Sequence, residues 1–264
     1  QVIYTQDQNQ VAAFGHLEGK CADAWKLSVG ARYLKENLDF QGRSSFLTAA
    51  SGFTTPLVLA TIPGVLNVAG QPPVAVTGLL NANATTGRVA LDWKPRANFL
   101  IYASAGKGYK GGGYNGGFVA SLANWVAYKP EDVKAYELGF KSDWLNRRLI
   151  FNGAFFYSDY TNLQAVSSRS NLLGVPGNFL ANVSKAKITG AEFELTARPT
   201  RNLEVRAGLG LLDAKNKDPQ PLFDGPFAAA GVIAPRKLAN SPNYTLNLSM
   251  MYDVPLASGA ALRF

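Results

Sequence analysis

Apolar and polar residues alternate along five separate stretches of the chain. In "WKLSVGARY", which begins at Trp25, the odd-numbered positions are apolar and the positions between them are polar or small. The same alternation runs through "AYELGFKSDW", "GAEFELTA", "LEVRAGLGL" and "YTLNLSMMYD". Successive side chains of a β-strand point to opposite faces, so each stretch predicts a strand with one apolar and one polar face. Helical spacing appears nowhere at comparable strength, and the pattern therefore predicts an all-β fold.

The length of these strands and the placement of their aromatic residues indicate a membrane. Strands of soluble sandwiches usually have about 5 or 6 residues, whereas these runs approach the roughly 9 to 11 residues that cross a bilayer at a tilt. Aromatic residues stand where the apolar faces end, as in the two interfacial girdles of a transmembrane barrel. The residues predicted to be interfacial are Trp25, Tyr33, Tyr102, Tyr136, Trp144, Tyr157, Tyr244 and Tyr252.

The links between the predicted strands alternate in length. Short links are predicted at 19–24, 94–98, 145–148, 198–202 and 254–259, and long ones at 41–84, 110–131, 168–181 and 216–241. An antiparallel up-and-down transmembrane β-barrel has this alternation, with short periplasmic turns and long outside loops. We therefore predict that residues 1–264 form a partial barrel of about ten strands that is truncated at both ends.

Composition and charge exclude several other classes of protein. The 264 residues contain no apolar run of about 18 residues, so no transmembrane helix is predicted. The net charge of +8 comes from cations spread singly along the strands, which does not indicate a nucleic-acid partner. Cys21, expected in a turn, and His16, expected in a strand, are the only residues of their types, which excludes a Cys/His zinc site within the chain.

No residues are predicted to be catalytic, and no cofactor or bound metal is expected. Glu192 and Glu194 share a strand face, but charged residues at alternate positions are what any water-filled lumen shows. The sequence therefore predicts a protein that is not an enzyme.

Four stretches in the same order resemble the barrel of TonB-dependent outer-membrane receptors. They are "AAFGHLEGKCADAWKLSVGARYLKENLDF", "IYASAGKGYKGGGYN", "VKAYELGFKSDWLNRRLIFNGAFFYSDYTNLQ" and "NVSKAKITGAEFELTARPTRNLEVRAGLGLLDAK". The resemblance implies a receptor in the outer membrane of a Gram-negative bacterium, which uses energised uptake to import a large solute, most often a ferric siderophore. It also implies contact with outer-membrane lipid and lipopolysaccharide, and with the TonB energy-coupling protein through an N-terminal region. Complete barrels of this family have about 22 strands and enclose a plug domain, which we do not find in residues 1–264.

The glycine-rich stretch "YASAGKGYKGGGYNGGF" is the most informative part of the chain for ligand binding. We expect the strand to leave the membrane near Gly106 and to become an outside loop. Tyrosine and tryptophan offer rigid contact area with a polar tip, and arginine can meet an anionic chelate. The candidate ligand-binding residues are Tyr109, Tyr114, Trp125 and Tyr128 in the second long loop and Arg169 and Phe179 in the third. The alternative is that these aromatic residues serve the girdle or the packing of the loops.

Three other functions fit the alternation alone. A passive porin and the translocating barrel of a secreted protein would share it but lack a plug. A soluble all-β carbohydrate-binding module is a third alternative. The transported substrate is not predicted by the sequence, because barrel strands are similar in receptors for different solutes.

Overall fold

The computed structural model describes residues 2–44, 74–115, 127–170, 176–218, 237–256 and 261–263. These residues form one sheet of ten strands and a separate two-stranded hairpin. The sheet contains β1 (Val2–Ala22), β2 (Trp25–Ser44), β3 (Val74–Arg96), β4 (Phe99–Lys110), β7 (Glu131–Trp144), β8 (Leu149–Ser170), β9 (Pro176–Ala197), β10 (Leu203–Asn216), β11 (Tyr244–Pro255) and β12 (Ala261–Arg263), and the hairpin contains β5 (Gly113–Tyr114) and β6 (Ala127–Tyr128).

Each strand of the sheet pairs antiparallel with the next one along the chain, and β4 pairs with β7 across the hairpin. This order confirms the predicted up-and-down topology. Four of the predicted short links, 19–24, 94–98, 145–148 and 198–202, contain the observed turns, and the fifth, 254–259, lies partly outside the described residues. In the turn between β7 and β8, Leu145, Asn146 and Arg147 have φ angles of 55°, 56° and 65°, a left-handed backbone that reverses the chain in four residues.

The strands are longer than the sequence pattern indicates, and this corrects several predicted boundaries. The nine strands from β1 to β11 in the sheet have 12 to 23 residues, and five of them, with 20 or more, extend well beyond the roughly 9 to 11 that a bilayer needs. Residues 41–44, 74–84, 168–170 and 176–181, predicted as loop, are strand. Cys21, expected in a turn, lies exposed in β1, and His16 lies in the same strand as predicted. No helix among the residues that the structure describes is long and apolar enough to cross a bilayer.

The outer face of the sheet carries the predicted apolar positions. Leu138 in β7 is 53% exposed and Leu248 in β11 is 74% exposed, while Leu209 in β10 is 38% exposed. Exposed leucines in neighbouring strands form a surface suited to lipid. Aromatic rings also meet across the strands of this face, in the contacts Phe99–Phe140, Phe140–Phe151, Phe151–Phe193 and Phe155–Phe193.

The prediction for Tyr102 is wrong. Tyr136 and Tyr157 are direct partners on the outer face, with ring centroids 6.2 Å apart, as expected of interfacial residues. Tyr102 instead alternates to the inner face, where its ring covers Gly139 and its hydroxyl hydrogen bonds with Glu137. A tyrosine on the polar face can satisfy its hydroxyl inside the sheet, so aromatic type alone does not locate the membrane interface.

The strands are tilted relative to the girdles. A row of directly paired residues crosses the sheet from β11 to β2. It starts at Tyr244, at the long-loop end of the β11 apolar face, and ends at Leu27, beside Trp25 at the short-turn end of the β2 face. The row consists of Tyr244, Leu211, Ala191, Phe155, Leu138, Ala103, Leu91 and Leu27. A row perpendicular to the strands therefore climbs from one girdle to the other, which is the tilt that closing a barrel requires.

Polarity changes faces within β2. From Trp25 to Tyr33 the apolar side chains are on the outer face, but from Leu34 onward they are on the inner face. Leu34, Leu38 and Phe40 are buried there, and Phe40 has no exposed surface. The ring of Tyr114 in the hairpin covers Phe40, and these buried residues form a core inside the sheet at its long-loop end.

Candidate ligand-binding surface at the long-loop end

The glycine-rich segment folds inward and lies across the inner face of the sheet. The strand that precedes it stays paired with β7 as far as Lys110 and Glu131, which agrees with the long link predicted at 110–131. Beyond it, Gly113 pairs with Tyr128 and Tyr114 with Ala127. We call the described residues 111–115 and 127–130 the inner hairpin. It contacts β2 and β3 on one side and β8 and β9 on the other.

An aromatic stack holds the inner hairpin against β2. The rings of Tyr114 and Phe40 are stacked with their centroids 4.6 Å apart and their planes at 15°. The backbone N–H of Tyr114 donates a hydrogen bond to Gln6 Oε1 at 3.4 Å. Gly78, the direct partner of Phe40, leaves the space that the Tyr114 ring occupies, and any side chain at this position would collide with that ring. Glycine at position 78 is therefore a condition for the stack.

Side-chain amides hold the other side of the inner hairpin. Gln164 Nε2 donates to the carbonyls of Gly111 and Lys129 at 2.8 and 3.0 Å. Asn182 accepts from the Lys129 N–H at 2.6 Å and donates back to its carbonyl at 2.9 Å. Asn115 makes the same reciprocal pair of bonds with the backbone of Leu180, at 2.8 and 2.7 Å. The bonds from Gln164 and Asn182 satisfy backbone groups of Gly111 and Lys129 in the hairpin, and those from Asn115 tie the hairpin to the backbone of β9.

A buried carboxylate lies beneath the hairpin. Glu36 is only 4% exposed and accepts a hydrogen bond from Gln10 Nε2 at 3.2 Å. Gly111 lies so close that an added Cβ would be 2.7 Å from Glu36 Oε1. The pKa of Tyr128 is raised, first by burial and then by the negative charge of Glu36. A buried charge requires hydrogen-bonding partners, so Glu36 makes this part of the inner face strongly polar.

Two buried polar atoms near this carboxylate have no hydrogen-bond partner among the described residues. They are the hydroxyl of Tyr109 and Oε1 of Gln164, whose amide nitrogen binds the hairpin. Unsatisfied buried groups in a folded protein usually bond to water or to a ligand. Tyr109, Tyr128, Glu36 and Gln164 thus form a group with remaining capacity to bind polar atoms.

A cleft beside Tyr109 adds positive charge to the inner face. It has a volume of about 440 Å³, and its walls include Leu34, Tyr109 and two arginines, Arg32 and Arg88. Both guanidinium groups donate to neutral oxygens, Arg32 to Gln10 Oε1 at 3.2 Å and Arg88 to Ser104 Oγ at 3.0 Å. Their charge is therefore available to an anionic group in the cleft.

The family of the chain follows from comparison with known proteins. Residues 2–263 match the family model described as the TonB dependent receptor-like β-barrel. The chain belongs to the TonB-dependent receptor family. Two curated relatives are a probable TonB-dependent siderophore receptor, PiuA of Acinetobacter baumannii, and a probable TonB-dependent receptor, BfrD of Bordetella pertussis. PiuA is 23% identical over 235 residues, 87% of this chain and 27% of PiuA. BfrD is 27% identical over 192 residues, 69% of this chain and 24% of BfrD.

A solved receptor structure has the same fold. The ferric yersiniabactin uptake receptor FyuA from Yersinia pestis matches with a TM-score of 0.71 and 18% identity, over 99% of this chain and 34% of FyuA. The chain thus spans about a quarter of the length of the two curated relatives and a third of FyuA. The predicted fold class, an antiparallel barrel segment of about ten strands, is confirmed.

Three of the six predicted ligand-binding residues lie together in the structure. Tyr109, Tyr114 and Tyr128 come together at the inner hairpin, although one face of Tyr114 is occupied by Phe40. Trp125 lies outside the described residues. The remaining two candidates are described only as positions in the β8–β9 pair, where Arg169 is opposite Gly177 and Phe179 is opposite Ser167.

Sequence reasoning missed Glu36, Gln164 and the two arginines. Arg32 and Arg88 could have been found, because both fall on the polar face of an alternating strand. Gln164 carries no such signal, since its role depends on a contact with a segment 53 residues away.

Proposed function

We propose that this chain is part of an outer-membrane receptor of a Gram-negative bacterium that imports a ferric siderophore by TonB-dependent energised uptake. The observation that carries the proposal is the inner hairpin with its polar group and the arginine cleft beside it. This arrangement offers a large solute both hydrogen-bonding and positively charged contacts on the inner face of the sheet. The similarity to PiuA, a probable siderophore receptor, and to FyuA, a ferric yersiniabactin uptake receptor, supports a ferric siderophore as the cargo.

In this proposal Tyr109 and Tyr128 contact the solute with the accessible parts of their rings, and Tyr114, Trp125, Arg169 and Phe179 extend the surface. Arg32 and Arg88 attract the anionic chelate into the lumen. The iron is cargo and is carried inside the chelate. Binding and a change in loop position do the work, so no bond-making step is assigned to the chain.

We propose that the rest of the transport machinery lies outside residues 1–264. We propose that a plug domain fills the barrel and that an N-terminal segment contacts TonB. Family membership supports a receptor over the porin, secretion-barrel and carbohydrate-module alternatives. Energised uptake past a plug remains the step that needs a direct test.

The test is uptake of radiolabelled iron in the native host, with a panel of ferric siderophores. We expect deletion of the receptor gene to abolish uptake of at least one siderophore and to slow growth under iron limitation. Deletion of the gene for TonB should abolish the same uptake while leaving the receptor in the membrane. Uptake that continues without TonB would contradict the energised mechanism, and uptake of all siderophores without the receptor would contradict the cargo.

A further inference from the structure

The buried carboxylate beneath the inner hairpin has little to compensate its charge. The backbone of the hairpin lies directly against it, since a Cβ added at Gly111 would be 2.7 Å from Oε1 and 3.0 Å from Oε2 of Glu36. Among the described residues no lysine or arginine forms an ion pair with Glu36, and Gln10 Nε2 supplies its one hydrogen bond, at 3.2 Å. Burial of an ionised carboxylate without strong partners is costly, so the charge of Glu36 opposes docking of the hairpin.

The hydroxyl groups near Glu36 do not offset this cost. Burial and then the charge of Glu36 raise the pKa of both Tyr109 and Tyr128, so both phenols lie within the field of the carboxylate. Within the described part of the chain neither hydroxyl donates a hydrogen bond to the carboxylate, and that of Tyr109 has no partner. The docked hairpin therefore covers a carboxylate that a single neutral amide compensates.

Gln10 links this carboxylate to the arginine cleft. Its amide oxygen accepts a hydrogen bond from Arg32 Nη2 at 3.2 Å, while its amide nitrogen donates to Glu36 Oε2 at 3.2 Å. The strand register supports the link, because Gln10 is the direct partner of Glu36, and Arg32 lies on the same face of β2 as Glu36. Arg32 thus fixes the orientation of the amide and aligns its dipole with the negative charge. We call Arg32, Gln10 and Glu36 the relay.

We propose that the relay couples the arginine cleft to docking of the inner hairpin. While Arg32 holds Gln10, the carboxylate keeps its hydrogen bond and the hairpin stays docked. An anionic group that binds Arg32 in the cleft draws the guanidinium away from Gln10, and the carboxylate under the hairpin then loses its compensation. Binding in the cleft and docking of the hairpin therefore oppose each other by the same factor. The inference rests on the proposed binding of an anionic solute, and it gives Glu36 a role in releasing the hairpin.

Hydrogen–deuterium exchange of the full-length receptor, without any solute, tests the relay. The readout is the exchange rate of the Tyr114 and Lys129 amides, both of which donate hydrogen bonds from the docked hairpin. E36Q removes the charge but keeps an oxygen that can accept from Gln10, so we expect exchange to slow by about tenfold. R32Q releases Gln10 and should raise exchange by about fivefold, the equivalent of one hydrogen bond.

The double variant E36Q/R32Q decides whether the two changes act through one path. With no carboxylate charge left to compensate, loss of Arg32 should leave exchange as slow as in E36Q. The matched control is R88Q, which removes the other arginine of the cleft. Arg88 donates to Ser104 Oγ at 3.0 Å and lies outside the relay, so this variant should exchange as the wild type does.

Folding is checked separately, by the shift in gel mobility that barrels show on heating. If R32Q does not fold, Q10M breaks the relay at its middle and should raise exchange by a similar factor. Exchange in E36Q as fast as in the wild type would overturn the proposal, because the charge would then not oppose docking. An R32Q effect of the same size with and without the charge of Glu36 would also overturn it, as would an equal effect of R88Q. Since these measurements contain no siderophore, failure of siderophore uptake would overturn the proposed cargo and leave the relay standing.

Discussion

Replacing Gln164 by methionine tests whether the inner hairpin is held by side-chain amides. Gln164 is 7% exposed, and methionine has a similar length and volume, so the change removes hydrogen bonds without leaving a large cavity. The backbone N–H of residue 164 keeps its bond to Glu131 Oε2, at 2.6 Å, because that bond does not involve the side chain. The substitution therefore acts mainly on Gly111 and Lys129.

The expected magnitude follows from the bonds that are lost. Two neutral hydrogen bonds, to the carbonyls of Gly111 and Lys129, contribute about 1 kcal/mol each. The Lys129 carbonyl keeps its bond from Asn182 Nδ2, so only the Gly111 carbonyl loses its side-chain donor. A total of about 2 kcal/mol changes the ratio of docked to undocked hairpin by about 30-fold.

Hydrogen–deuterium exchange of the full-length receptor measures this ratio. The informative amides are those of Tyr114 and Lys129, which donate to Gln6 and Asn182. Where local opening limits exchange, their rates should rise by about 30-fold in Gln164→Met. The matched control is Ser142→Ala, which removes a bond of 2.6 Å to the Phe151 carbonyl near the short turns and should leave these rates unchanged. Wild-type rates in Gln164→Met would refute the role assigned to Gln164.

Three further substitutions test other parts of the structure. Gly78→Ala should displace Tyr114 from Phe40 and raise hairpin exchange, and wild-type exchange would contradict the stack. Leu138→Lys places a charge on the lipid face and should destabilise the barrel by about 2 to 4 kcal/mol in refolding titrations into lipid vesicles. The matched control, Asn152→Lys on the inner face, should lower the stability far less. Equal losses of stability in the two variants would contradict the assignment of the outer and inner faces. Arg88→Gln should weaken binding of an anionic ferric siderophore about tenfold in fluorescence titrations, while unchanged affinity would remove the cleft from the ligand path.

The transmembrane part of the fold is predictable because a bilayer imposes its pattern on each strand separately. Leu27, Val29 and their counterparts must face lipid at every second position, whatever the neighbouring strands contain. The short turns are predictable for a similar reason, since residues 145–148 must reverse the chain within a few residues. Local rules of this kind need no knowledge of the tertiary contacts.

The inner hairpin could not be predicted in the same way. Its glycines indicate freedom of the backbone, which suits a solvated loop and an inward fold equally well. What decides between them is contact with Phe40, Gln164 and Asn182, which belong to distant strands. Glu36 is a related case, because a glutamate in an alternating strand indicates a wet lumen and gives no sign that a loop will bury it.

The sequence of β2 nevertheless contains one indication of the inward fold. In "WKLSVGARYLKENLDF" the apolar residues occupy odd positions as far as Tyr33 and even positions at Leu34, Leu38 and Phe40. A strand that simply left the membrane would become polar on both faces, because water replaces lipid outside and already fills the lumen. Apolar residues that move to the inner face require something inside to cover them, and the inner hairpin does so. The shift of the alternation by one residue, between Tyr33 and Leu34, therefore indicates where the strand leaves the hydrocarbon. It also indicates that the inner face of β2 beyond this point is covered by a loop.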